Sequence, residues 1–240
     1  MIRVSVIVPA YNEEATIVSI LQKVRAQRVD GVEFEVIVVD DASSDGTLER
    51  LQSRPDLYDR LVNHRENGGK GAAVRSGLRA AAGDYVLFQD ADLEYDPAEY
   101  AKLLLPVLRF DADLVLGSRF LAPLYTRVHY LWHKIGNKTI TAMFNVLFNT
   151  TFTDLYTCYV LFRRSLIAAD ELRTDGWEQQ AEILCLAVRR SKTYYEVPIA
   201  YHGRSYDEGK KIRAHHVIAV MLTIMRTRFR SVAAASSGRV

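Results

Sequence analysis

The stretch Asp84-Tyr85-Val86-Leu87-Phe88-Gln89-Asp90-Ala91-Asp92 runs from an apolar segment fit for a buried strand directly into two carboxylates. Similar transitions lie on both sides of it. Val4 to Val8 reads as a buried strand leading into Pro9-Ala10-Tyr11-Asn12-Glu13, and Phe34 to Val39 as a second strand leading into Asp40-Asp41. Asp113 to Gly117 is another, followed by Ser118-Arg119, and Arg60 to Asn63 is a short one. Helices are expected between them: residues 13–26, with Ile17, Ile20, Leu21 and Val24 at helical spacing, a segment through Leu48 and Leu51 capped by Ser44 or Asp45, residues 71–82 and residues 97–110. Strands and helices thus alternate through about residue 120, which argues for an α/β sheet with parallel strands and covering helices. In such sheets ligands collect at the carboxyl ends of the strands, where these polar motifs converge.

Beyond residue 120 the alternation loosens. Residues 128–149 read as helix, 159–162 as strand, 181–189 as helix, 194–198 as strand, and 215–229 as an amphipathic helix after a basic segment from His202 to Arg213. The expected division is a main domain over 1–213, a C-terminal amphipathic helix over 214–230, and a small, polar, disordered tail over 231–240. The start has too short an apolar run for a signal peptide, and the late apolar run Val217 to Met225 falls far short of the roughly 20 residues that span a bilayer.

Of the 240 residues, 49% are hydrophobic and 25% charged, the balance of an ordinary globular protein. A formal net charge of +2 argues against a protein that coats nucleic acid. That average hides a division: residues 1–156 carry 17 basic and 21 acidic side chains, and residues 157–240 carry 14 and 8. The two cysteines, Cys158 and Cys185, form no CxxC pattern, so neither a disulfide framework nor structural zinc is supported and a reducing, cytoplasmic setting is expected.

Several nucleotide-binding classes fail on missing parts. The turn after the first strand has no glycine, which excludes a dinucleotide fingerprint. Asn67-Gly68-Gly69-Lys70-Gly71 lacks the first Gly and the Ser/Thr of a Walker loop; it reads either as a turn whose Lys70 points into the cleft or as a plain connection to a helix. A phospho-receiver domain would place its acidic pair after the first strand, not the second. Asp90 and Asp92, two residues apart on an extended chain, lie on one side and can share a hard divalent cation, with Glu94 as a third oxygen donor. Mg²⁺ takes one or two carboxylates together with phosphate oxygens, which suits a nucleotide diphosphate.

Taken together, Val4 to Glu13, Val38 to Ser43, Asp84 to Asp92 and Gly117-Ser118-Arg119 resemble glycosyltransferase family 2, most of all its dolichyl-phosphate mannose synthase and polyprenyl-phosphate branch, over residues 3–213. The resemblance implies a GT-A nucleotide-sugar fold, with a mostly parallel central sheet flanked by helices. It implies that Pro9, Tyr11, Glu13, Val39 and Asp41 line the base and ribose pocket, and that Asp90, Ala91 and Asp92 form the metal-binding DxD. Glu94 stands where the resembled synthases carry Gln. Arg119 corresponds to an arginine facing donor and acceptor phosphates, and His133-Lys134 falls where those synthases carry Arg-Lys. Arg204 and Lys210 match a basic loop that closes over the diphosphate. Asp154 matches a family aspartate that is a general base in some branches; for an anionic acceptor it would instead orient basic residues. Glu182 corresponds to a family glutamate or is a charge partner of Arg189 or Arg190.

The function this implies is an inverting, Mg²⁺- or Mn²⁺-dependent transfer of a hexose from GDP-mannose or UDP-glucose to a polyprenyl or dolichyl phosphate. Asp92, Arg119, Asp154 and Arg204 would be its catalytic groups, with His133 a further contact to the acceptor phosphate. A protein of this kind would meet its lipid peripherally at the cytoplasmic face of a membrane. The alternatives are a hydroxyl acceptor with Asp154 as base, and a non-catalytic nucleotide-sugar binding module.

Overall fold

A computed structural model describes residues 1–121, 131–203 and 216–230. Seven strands form one sheet in the order β3-β2-β1-β4-β6-β5-β7. The strands are β1 (Ile2–Ala10), β2 (Val32–Asp40), β3 (Arg60–Asn63), β4 (Tyr85–Phe88), β5 (Leu114–Ser118), β6 (Val160–Arg163) and β7 (Tyr194–Pro198). β1 runs parallel to β2 and β4, β2 to β3, and β5 to β7. The register of β1 and β2 pairs Pro9 with Val39 and Ala10 with Asp40, so the two polar motifs emerge at one edge.

The expected mostly parallel sheet is therefore present, with one departure. β6 is antiparallel to both of its neighbours and lies between β4 and β5, which are consecutive in the chain. The crossover through α4 (Tyr100–Phe110) leaves a gap one strand wide, and the returning chain fills it with four residues that are almost wholly buried. Filling the gap satisfies the facing backbone groups of β4 and β5, which would otherwise lie unpaired in the core.

The helices cover the sheet with the faces their periodicity dictates. In α1 (Ile17–Ala26) the buried residues are Ile17, Ile20, Leu21 and Val24. It begins four residues later than the sequence suggests, because Glu13 is held in a turn: its amide donates to Thr47 Oγ1 and its carboxylate accepts from Thr16. The N-cap of α2 (Thr47–Ser53) is Gly46 and neither of the two expected residues, although Asp45 Oδ1, one position earlier, accepts from the Thr47 amide. α3 (Lys70–Ala80) lies over β1 and β2, α6 (Gln179–Arg190) carries nine buried residues, and α7 (His216–Phe229) packs on α5 (Leu131–Phe148) and α6. Both cysteines are buried and free. The proposed tail over 231–240 lies outside the described residues.

Candidate active site

The strand ends open into a cavity of about 310 Å³. Pro9, Tyr11, Glu13, Asp41, Lys70, Asp90, Ala91, Asp92 and Glu94, nine of the sequence-predicted residues, all line it. Val39 does not. It is wholly buried within β2, so its side chain belongs to the core and Asp41 forms the wall at that point.

The acidic pair after β2 divides in two. Asp40 is completely buried and its Oδ1 has no hydrogen-bond partner, while Asp41 organises the neighbouring loop. Asp41 Oδ1 lies 2.7 Å from His64 Nδ1 and accepts from the Gly68 amide, and Oδ2 accepts from the Gly69 amide at 2.8 Å. A carboxylate receiving backbone N–H groups fixes a turn that its own sequence would leave mobile. Gly69 then enters α3 at φ +87°, and the Gly71 amide donates to the Asp175 carbonyl at 2.7 Å. A Cβ at either glycine would lie 2.6–2.7 Å from the Asp175 backbone. Glycine is required there because the 173–178 segment presses directly on the start of α3.

This arrangement decides the open reading of Lys70. Its ammonium reaches the cavity, lies 2.6 Å from Asp90 Oδ1 and sits 5.1 Å from the centroid of Trp177. Burial opposes the charge, but Asp90 outweighs it and holds the ammonium protonated well above the ordinary lysine range.

Gln89 sets the direction of the acidic motif. It is fully buried; its Oε1 accepts from the Tyr100 and Tyr159 hydroxyls, and its Nε2 donates to the Asp90 and Tyr95 carbonyls. A buried amide with all of these bonds made is rigid, so the residues that follow leave the sheet at a fixed angle.

The donor set suits a hard divalent cation only in part. Asp90 and Asp92 share the cavity, and a cationic group already contacts Asp90. The expected third donor, Glu94, already has a protein partner. Glu94 Oε2 accepts from the Tyr201 hydroxyl at 2.6 Å, and among the described residues no three His, Cys, Asp or Glu side chains converge as a metal site. Two carboxylates with the remaining positions open is nonetheless the arrangement that Mg²⁺ or Mn²⁺ adopts when phosphates complete its shell.

Arg119 sits one layer back. Its guanidinium stacks over Tyr201 at 4.9 Å and is gripped by Asp154: Nε donates to Oδ2 at 2.7 Å, Nη2 to Oδ1 at 2.9 Å, and the backbone amide also donates to Oδ2. Asn137 Nδ2 donates to Asp154 Oδ1, and Arg119 Nη2 donates to the Tyr156 carbonyl. Asp154 is 0% exposed. Burial alone would raise its pKa, but the Arg119 charge and hydrogen bonds prevail and hold it below the ordinary 3.8.

Sequence reasoning missed Gly176, Trp177, Asn67 and Tyr201, all of which line the cavity. A tryptophan beside a glycine just before a helix was the available signal for the first two; nothing in the local pattern marks Tyr201. Glu182 pairs with Arg230, whereas Arg189 donates to the Thr227 and Arg230 carbonyls and Arg190 to Glu171. Arg204, Lys210 and the side chain of His133 lie outside the described residues.

The low-salt glycan biosynthesis hexosyltransferase of Haloferax volcanii is 29% identical over 201 residues, 83% of this chain and 48% of that protein. The dolichol-phosphate mannosyltransferase of Pyrococcus furiosus is 26% identical over 211 residues, 87% and 59% respectively. The chain thus spans only about half to three-fifths of these two relatives. A UDP-N-acetylglucosamine–dolichyl-phosphate N-acetylglucosaminyltransferase of Methanococcus voltae is 26% identical over 212 residues, 80% of this chain and 83% of that one. Glucosyl-3-phosphoglycerate synthase of Mycobacterium tuberculosis shares the fold, with a TM-score of 0.68 at 24% identity over 94% of this chain and 80% of that one. The mixed sheet with its polar strand ends thus has the GT-A architecture that the motifs imply. With residues 5–169 matching the model of the family described as glycosyl transferase family 2, the chain belongs to that family.

Proposed function

We propose that the protein transfers a hexose from a nucleotide diphosphate sugar, GDP-mannose or UDP-glucose, to a polyprenyl or dolichyl-type phosphate. Family membership and the three relatives named for hexosyl or dolichyl-phosphate transfer support the reaction class. The observation that carries the acceptor class is the condition of Asp154. A hydroxyl acceptor must lose a proton to a base within hydrogen-bond reach. Asp154 is fully buried, with Arg119 on both oxygens and Asn137 on one. It anchors Arg119 and is not poised to take a proton. A phosphate acceptor is already anionic and needs no base.

In this reading the donor base and ribose lie against Pro9, Tyr11, Glu13 and Asp41, and the diphosphate against Lys70, Asp90 and Asp92. Asp90 and Asp92 would hold Mg²⁺ or Mn²⁺, which neutralises the diphosphate and the charge that develops on the leaving group. Lys70, fixed between Asp90 and Trp177, adds a second cation with little freedom to lose. Arg119 is preorganised by Asp154 to orient phosphate on the acceptor side, joined by Arg204, Lys210 and His133. An acceptor phosphate oxygen attacks the anomeric carbon from the face opposite the leaving group. The bond to the diphosphate breaks, the configuration inverts, and the nucleoside diphosphate departs.

The lipid acceptor implies membrane contact, and α5 and α7 provide a surface for it. No helix among the described residues is long and apolar enough to cross a membrane. Ile218, Leu222, Met225 and Phe229 on α7, with Leu131, Ile135 and Val146 on α5, are nevertheless exposed. Lys134, Lys138 and Arg226 are exposed beside them, and neither helix contains Asp or Glu. This suits an interfacial, peripheral position on an anionic surface.

Incubation of the purified protein with Mn²⁺, each nucleotide sugar and polyprenyl phosphate tests the proposal. Formation of a lipid-linked hexose, lost on adding EDTA, is expected. Transfer to a sugar hydroxyl but not to the lipid phosphate would favour the alternative acceptor. Neither transfer nor hydrolysis of any nucleotide sugar would favour a binding module.

A further inference from the structure

Glu182 is a carboxylate at 1% exposure, one turn into α6 and away from the cavity wall. Its Oε2 accepts from the Arg173 amide, the Thr174 amide and the Thr174 hydroxyl at 2.8–3.0 Å. Its Oε1 accepts from Arg230 Nη1 at 3.0 Å, while Arg230 Nη2 donates to the Glu171 carbonyl. Arg230 directly follows α7. The end of that helix is therefore tied, through one buried carboxylate, to the segment that carries Gly176 and Trp177 onto the cavity. Gln179, three residues earlier on the same face of α6, completes the connection by donating to the Gly71 and Thr174 carbonyls.

We propose that Arg230 and Glu182 are positioning residues that set the Trp177 wall of the nucleotide cleft from the end of α7. Among the described residues, Arg230 is the ion-pair partner of Glu182. Without it, Glu182 is an uncompensated buried charge, a condition that proteins relieve by moving the group toward water. Such movement draws Arg173 and Thr174 along through the three bonds to Oε2. It shifts the Asp175 carbonyl from Gly71 and Trp177 from above Lys70, the cation that contacts Asp90. The coupling runs through the hydrogen bonds of Glu182, the backbone from Thr174 to Trp177 and the contact of Lys70 with the Trp177 ring, without a gap from helix end to cleft. The inference rests on the cleft being the nucleotide site and is independent of the acceptor.

The chain has two tryptophans, so a Trp132→Phe background leaves Trp177 as the reporter. In that background, Arg230→Ala, Arg230→Lys and Glu182→Gln are titrated with UDP and with GDP in the presence of Mn²⁺. Emission is recorded first without nucleotide, and thermal midpoints identify any global loss of fold. Arg230→Ala is expected to change Trp177 emission and to weaken nucleotide binding by about threefold to thirtyfold. Arg230→Lys should recover most of the affinity, and Glu182→Gln, which keeps one acceptor oxygen, loses the charge and turns an NH2 toward either Arg230 or the Arg173 and Thr174 donors, should fall between. Parental affinity and parental emission in Arg230→Ala would overturn the proposal. If the parent itself binds neither nucleotide, the reading of the cleft fails instead; emission then decides the positioning role, and an identical spectrum in Arg230→Ala and its parent overturns it.

Discussion

Asp154 shows how one residue joins stability and chemistry. Its folded pKa lies below the ordinary value, so the stability it contributes is fully present above about pH 4 and is lost as pH falls through the lower, folded value. Urea unfolding should therefore show this contribution unchanged from neutral pH to about pH 4 and declining below. Asp154→Asn leaves Arg119 buried with half of its pairing, at a cost of roughly 3 kcal/mol, visible as a lower urea midpoint with an unchanged slope. A cost under about 1 kcal/mol would mean that Arg119 finds another partner. In the proposed transfer to a phosphate no catalytic proton passes through Asp154, so the residual turnover of the variant should keep the wild-type pH profile; loss of an ionisation from that profile would restore it as a base. At a cavity-lining position, Lys70→Ala should weaken nucleotide diphosphate binding by roughly tenfold or more, measured by calorimetry, since a charge-assisted contact is lost. The acidic motif was legible in sequence because an apolar run that stops in charges has to stop at a strand end. The Tyr201–Glu94 bond was not, because it joins residues 107 positions apart and leaves no local pattern.

At the level of elements, periodicity located the strands and α-helices among the described residues to within a few residues but carried no direction. The first three residues of β6, Val160 to Phe162, are apolar on both faces, and such a run looks the same whether it pairs parallel or antiparallel. Its place between β4 and β5 follows from the gap left by the preceding crossover, a property of the assembled sheet. The contact between α3 and the 173–178 segment was equally hidden. In sequence Gly69 and Gly71 read only as part of a turn or a plain helix entry, yet both face the Asp175 backbone. Gly71→Ala should destabilise the protein by about 1–3 kcal/mol in chemical denaturation and weaken nucleotide binding, because backbone on both sides of the clash has nowhere to go. Wild-type stability in this variant would mean that the segment does not press on α3 in solution.

For the whole molecule, the exposed apolar residues of α5 and α7 predict binding to anionic vesicles in a flotation assay. Binding should weaken with salt, as basic residues near such a surface are worth about 1 kcal/mol each. Serine at Ile218, Leu222 and Phe229 together should abolish flotation with little change in melting temperature, since all three side chains are largely exposed. Retained flotation would move the contact elsewhere. The pairing of these helices has another effect. Gly136 of α5 lies against Val217 of α7, and eleven residues further along each, Arg228 donates to the Leu147 carbonyl, so the helices run in the same direction. Their carboxyl ends therefore lie together and their partial negative charges add instead of cancelling. Arg228 answers one end, while Arg189, bonded to the Thr227 and Arg230 carbonyls, answers the other. Part of the late basic excess thus neutralises aligned backbone dipoles, and those arginines are not available to hold the phosphates of a substrate.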